Sequence, residues 1–369
     1  MKKKSYIILG IILLLIILII VGAIIWYTSQ IKAPKNQTTE GVTIEITSGT
    51  STSNILSILK QNNVIKSDFA AKIYIKLHEM NNLQAGKYHF SGADNLEQVL
   101  NILVSGRVVD ETVTITFKEG KNMRYIASSI AENTNNTSNE VYSLLRNDEY
   151  IQSLIDKYWF LTDEVKNESI YYPLEGYLYP DTYSFENADV DVKTIFEKML
   201  DQMGKVLAKY KQTKSGDELN VEDTEQKKYS AHEVLTMASI VELEGNNAVD
   251  RAKIARVIYN RLAKKMSLGS DVTTYYAIKV DMGERNLYAR EIDSYNSYNT
   301  RGPNMGGKLP VGPISNPSEE SITAVLRPAV GDYLYFVADK NGNMHFVNTY
   351  EQHQQMIETL KKKGLWYEY

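Results

Sequence analysis

The chain has 369 residues, 43% of them hydrophobic, and a formal net charge of −4. That length exceeds one average domain and points to two folded units, while the charge lacks the basic footprint of a nucleic-acid binder, so DNA and RNA are not expected partners. Cysteine is absent, which excludes disulfides, thiolate metal sites and a Cys nucleophile; the five His show no HExxH spacing, so neither a metal nor another cofactor is expected.

Lys2, Lys3 and Lys4 precede an almost unbroken apolar run over residues 6–27 that ends in Ile-Ile-Trp26-Tyr27. Such a run, about 22 residues long, can cross a hydrocarbon core of roughly 30 Å as a helix. It is too long for a signal-peptide core, and its aromatic end suits the interface. The lysines predict a cytoplasmic N-terminus and place residues 28–369 outside a cell membrane that the chain spans once. Residues 28–41 are polar, without apolar periodicity, and read as a linker.

Val42-Thr-Ile-Glu-Ile alternates as a strand, and Gly49 is followed by a helical pattern through Ile55, Leu56 and Leu59. The arrangement returns 71 positions later in Val113-Thr-Ile-Thr-Phe, Gly120, Ile126 and Ile130. Between the copies, residues 83–90 predict a strand and 96–106 a helix. Residues 42–135 are thus expected to form one small α+β module, a sheet with helices on one side. A larger mixed α+β domain is expected over 138–369, with helices at 138–157, 192–210, 230–245 and 250–265, a solvated loop at 211–228, and a hairpin about Asn341-Gly342. The 26 tyrosines read mostly as packing, with a minority available for stacking on sugars.

The 230–245 segment organises the large domain. Ser230 and Glu233 form a capping box, and Val234, Met237, Ala238 and Val241 keep the spacing of a helix buried along one face. Glu242 then falls at the margin of that face, where partial desolvation can raise a carboxyl and keep a proton available near neutral pH. The plainer alternative is an ion pair with Arg251 or Arg261. Glu244 is expected on another face, pointing away.

Ala238-Ser-Ile-Val-Glu242, Asn260-Arg-Leu, Leu268 with Asp271, Ser297-Tyr-Asn-Thr300, residues 309–317 and Tyr333-Leu-Tyr-Phe-Val337 resemble, in order and spacing, the motifs of the endolytic murein transglycosylase (YceG-like) family. Residues 83–88 and 174–183 match as well. The resemblance implies a membrane-anchored lyase with a LysM-like module. Such an enzyme cuts the MurNAc-GlcNAc bond of nascent peptidoglycan strands and leaves 1,6-anhydroMurNAc ends, terminating strand elongation. It implies glycan strands as substrate and cell-wall synthases and elongation or division proteins as partners. Glu242 is the catalytic residue carried over, with Asp271, Tyr298, Asn299 and Thr300 as substrate-binding residues. Asp271 follows Gly269-Ser270 where the family has Gln-Thr, and Arg301 replaces a family aromatic; Glu175 and Asp181 read as structural. Two rival readings stand beside this one: a hydrolytic muramidase using Glu242 and Asp271, and a non-catalytic peptidoglycan-binding division scaffold.

Overall fold

The computed structural model describes residues 2–34, 41–80, 82–106, 112–211, 219–222 and 228–366. The 211–228 loop expected from sequence lies largely outside these residues, as do residues 35–40 of the expected 28–41 linker, whose residues 28–30 are helical. The chain forms two compact units, 1–111 and 112–369.

The smaller unit begins with α1 (Lys2–Gln30), whose stretch from Gly10 to Gln30 has a mean hydropathy of 3.0 and no buried part, so it is a candidate membrane anchor. Strand β1 (Val42–Ile46) is followed by α2 (Thr52–Gln61) and α3 (Asp68–Leu77), then β2 (Gly86–Phe90) and α4 (Leu96–Ser105). β1 and β2 pair antiparallel, Ile44 opposite Tyr88. The alternation read from sequence turns Ile44, Ile46, Tyr88 and Phe90 to one side. There they pack with Leu56, Leu59, Ile75, Leu100 and Leu103 of the helices in a core of their own.

The larger unit contains β3 (Val113–Thr116), α5 (Met123–Asn133), α6 (Ser138–Leu145), α7 (Asp148–Lys157), β4 (Thr182–Phe185), α8 (Val192–Ala208), α9 (Ala231–Glu244) and α10 (Ala248–Ala263). It continues through α11 (Asp271–Ala277), α12 (Ala289–Ile292), α13 (Glu319–Leu326), the hairpin β5 (Tyr335–Ala338) and β6 (Met344–Val347), and α14 (Tyr350–Lys362). The helix expected over 138–157 is two helices, because Asn147 caps the second by accepting from the Tyr150 amide at 2.8 Å.

Two expectations differ from the structure more deeply. The repeat does not make one module: its first copy belongs to the smaller unit, whereas β3 pairs with β4, Ile115 opposite Tyr183, and Phe117, Met123, Ile126 and Ile130 join the core of the larger unit. The boundary between compact units therefore falls at 111/112 and not near 135. Helix α9 is also not amphipathic. From His232 to Val241 nine of its residues are buried, on every side, with α10, α11 and α13 packed around it. It is a central core helix.

A fragment comprising 112–369 should fold cooperatively, and one starting at Ser138 should not. The missing Ile115, Phe117, Met123, Ile126 and Ile130 each stand for about 2–5 kcal/mol of core packing against a typical total stability of about 5–15 kcal/mol. Thermal unfolding followed by circular dichroism decides this; a cooperative transition in the shorter fragment would place β3 and α5 outside the essential core.

Candidate active site

Because α9 is enclosed, its polar side chains are matched to fixed partners, and these draw the matched sequence motifs together. His232 bonds through Nδ1 to the Tyr177 hydroxyl (2.7 Å) and through Nε2 to the Val311 carbonyl (2.8 Å). A carbonyl can only accept, so Nε2 carries the proton and Nδ1 accepts from Tyr177. Ser239 Oγ accepts from the Ile314 amide at 3.0 Å, and Asn316 reaches Leu178 N and Glu175. Gly176 sits at φ +82° with its missing Cβ site only 2.2 Å from Pro313 Cβ, so only glycine allows this approach. Glu175, wholly buried, accepts from Met123 N and the Tyr276 hydroxyl, both at 2.9 Å; burial nevertheless pushes its carboxyl up to about 7.

The exposed end of α9 carries two acids with different surroundings. Glu242 is clamped. Its Oε1 accepts from Arg251 Nη2 at 2.9 Å, and its Oε2 accepts from Ser318 N (2.9 Å), Ser318 Oγ (2.5 Å) and Ser321 Oγ (2.6 Å) at the start of α13. Only 6% of its side chain and 11% of that of Arg251 remain exposed, and Arg251 also holds Glu320 and the Gly245 carbonyl that ends α9. The carboxylate ties α9, α10 and α13 together, with a donor on each oxygen. The ion pair weighed from sequence as the plainer alternative for Glu242 is formed, with Arg251 as its partner.

Glu244, expected to point away, faces a cleft of about 480 Å³. Its Oε1 accepts one bond, from Ser270 Oγ at 2.5 Å. Burial raises its carboxyl above the ordinary range and the charge of Asp271 adds to this, while the Ser270 bond and the guanidiniums of Arg301 and Arg261 pull the other way. The same cleft is walled by Asp271, Arg301, Tyr335, Tyr350, His353 and Trp366. Asp271 is half-exposed and ion-paired to Arg301. The Tyr335 ring lies under Arg261, 4.9 Å from the guanidinium carbon, and stacks on His353. A cavity of about 510 Å³ elsewhere, beside Glu164 and Lys308, has His232 in its wall, yet both nitrogens of that ring are already bonded.

Tyr298, Asn299 and Thr300 are completely buried and do not line the cleft. Tyr298 packs tilted against Tyr171 and edge-on against Tyr276, with its hydroxyl accepting from Tyr171 N at 3.2 Å. Asn299 Oδ1 accepts from Thr274 Oγ1 (2.6 Å) and Arg301 N, and its amide nitrogen donates to the carbonyls of Glu291, Ile292 and Ser294. Thr300 Oγ1 accepts from Ser270 N at 3.0 Å and meets Thr273 Oγ1 at 2.8 Å. The run is a buckle that sets the 270–274 turn. Ser270, at the N-terminus of α11, gives its hydroxyl to Glu244 in place of capping its own helix. Of the residues expected from sequence, the structure brings Asp271 to this cleft, beside Glu244, Ser270, Arg301 and Tyr335, which the sequence reading had given no role in the site. A signal for Glu244 existed, since Arg251 nine positions beyond Glu242 already offered that acid a partner.

The sequence matches the YceG-like family profile over residues 44–359. It is 37% identical over 340 residues to the endolytic murein transglycosylase of Bacillus subtilis (strain 168), covering 91% of this chain and 89% of that one. It is 29% identical to the endolytic murein transglycosylase of Streptococcus pneumoniae (strain D39), covering 86% of this chain and 58% of that longer protein. The fold is similar to the 2.6 Å crystal structure of a putative YceG-like protein from Listeria monocytogenes, with a TM-score of 0.59 at 36% identity over 86% of this chain and all of that one.

Asn299→Ala should act on stability. It strips partners from buried groups, each costing on the order of 1–3 kcal/mol, so the urea midpoint should fall clearly. A variant as stable as the parent but with weakened glycan binding would return Asn299 to a direct substrate role.

Proposed function

The chain belongs to the YceG-like family, and from that premise we propose that it is a lytic transglycosylase whose acid and base is Glu244, cutting the MurNAc-GlcNAc bond of peptidoglycan strands. The observation that carries the assignment is the contrast at the end of α9: Glu244 has a carboxyl raised by burial and opens on a cleft, while Glu242 is held by Arg251, Ser318 and Ser321. A raised carboxyl holds its proton at the pH where a glycosidic oxygen needs one. Glu244 gives that proton to the leaving GlcNAc oxygen as the bond to MurNAc C1 breaks. As carboxylate it then takes the proton of the MurNAc C6 hydroxyl while O6 closes on C1, which leaves a 1,6-anhydro end and returns Glu244 to its acid form.

Ser270 holds the carboxyl in place, and Tyr350 and Trp366 offer aromatic faces to the apolar faces of the sugars. An ordinary glycosidase needs a second carboxylate as nucleophile or base. Asp271 is the other acid of the cleft, but its pairing with Arg301 favours a role in shaping Glu244's field over attack. The apolar α1 supports anchoring in the cell membrane, with the N-terminal lysines cytoplasmic and the cleft outside, where strands are extended. In that position cleavage would end strand growth beside the synthases, with the smaller unit serving as a LysM-like glycan contact.

Glu244→Gln should lower the release of anhydro ends from isolated sacculi by about 10²–10⁴-fold, with folding retained. Because a raised carboxyl makes the fold favour its protonated form, stability is lost as pH rises through that range, and Glu244→Gln should lessen this loss. Wild-type activity should fall over the same rise in pH, since the acid must carry its proton. Glu242→Gln should instead destabilise the fold by on the order of 1–3 kcal/mol while folded molecules keep cutting. Mass spectrometry of the products gives the reading: full activity in Glu244→Gln, or reducing ends in place of anhydro ends, would refute it.

A further inference from the structure

Helix α3 of the smaller unit presents two unlike sides. Ala70, Ala71, Tyr74 and Ile75 turn into the core, whereas Phe69, Ile73 and Leu77, at i, i+4 and i+8, make a stripe along the other side. Phe69 is 62% and Leu77 67% exposed, an unusual outlay of large apolar surface, and exposed Lys72 and Lys76 stand beside the stripe. The position of the stripe identifies what covers it. The ring of Phe69 lies 6.2 Å from that of Trp26, at the end of the apolar span. The chain just past the span is fastened to the same unit: Lys66 Nζ donates to the Ser29 carbonyl at 3.1 Å, and Leu96 N donates to the Ile31 carbonyl at 3.0 Å. Where Trp26 sits at a membrane interface, Phe69 sits there too.

We infer that α3 is a second membrane contact, lying along the bilayer surface with Phe69, Ile73 and Leu77 in the headgroup layer and Lys72 and Lys76 against anionic lipid headgroups. The inference rests on α1 crossing the bilayer, not on the chemistry assigned to Glu244. Lipid fits better than a protein partner because the stripe continues the apolar surface of the span and Lys72 and Lys76 flank it, while Asp68 at its start is paired with Lys60, the pattern of a helix lying in an interface. The contact holds the smaller unit down on the membrane instead of leaving it to swing on α1.

The absence of cysteine makes the test direct. Nitroxide labels placed at Phe69→Cys, Leu77→Cys, Ile17→Cys in the span and Glu45→Cys on the open face of β1 are read in the full-length chain, reconstituted in phosphatidylglycerol–phosphatidylcholine vesicles. Labels at 69 and 77 should collide several-fold less with a water-soluble nickel chelate, and more with oxygen, than the label at 45, approaching the label at 17. Lys72→Glu combined with Lys76→Glu should raise chelate access at 69 in the anionic vesicles. Access at 69 and 77 equal to that at 45 would overturn the inference, as would an accessible label at 17. Dipolar broadening between labels at 69 on two copies would assign the stripe to a second chain and overturn it equally.

Discussion

The enclosure of α9 governs the rest of the larger unit. A helix with no solvent-facing side must have every polar group on it satisfied by protein, and His232, Thr236 and Ser239 are satisfied by Val311, Tyr177, Ile314 and the helix's own carbonyls. These bonds hold the 309–317 segment against the helix, and Asn316 then ties that segment to Glu175 and Leu178. The 174–183, 238–242 and 309–317 motifs lie far apart in sequence yet are joined by hydrogen bonds. Their common purpose is to bring the end of α9 to the surface in one fixed orientation.

At that end, two acids separated by a single residue have unlike surroundings. Their difference comes from neighbours contributed by later elements: Arg251 of α10 and the serines that begin α13 occupy Glu242, whereas Ser270 and Asp271 of α11 leave Glu244 with one donor and a like charge. Four bonds fix a carboxylate. Burial and the Asp271 charge raise the other carboxyl against the pull of Ser270, Arg301 and Arg261.

Much of the frame was legible in the sequence because it is local. The capping box that starts α9 is present as Ser230 and Glu233, the hairpin pairs about its Asn-Gly turn, and the apolar N-terminal run is a single long helix. What stayed hidden depends on non-local packing. Periodicity treated α9 as having one buried face and so assigned Glu242 to its margin, but the pattern cannot register α10, α11 and α13 closing around the other sides. The Tyr298-Asn299-Thr300 run resembled a cleft lining, and only its burial shows that it braces the turn carrying Ser270. The two copies of the strand-turn-helix unit look alike, yet strand partners decide membership: β1 finds β2 within its own unit, and β3 finds β4 beyond three helices.

That last pairing bears on how the protein reaches its native state. The smaller unit closes through contacts made within the first part of the chain. The larger one cannot close early: Thr116 pairs with Thr182, and the Lys121 carbonyl is bonded by Asn316, 195 residues further along. Closing such long loops carries a large entropy cost before native contacts repay it, so folding is slow and late. As the chain emerges N-terminus first, the anchor and the smaller unit can be complete while β3 still waits for β4, and the turn after β3 waits longer, for Asn316.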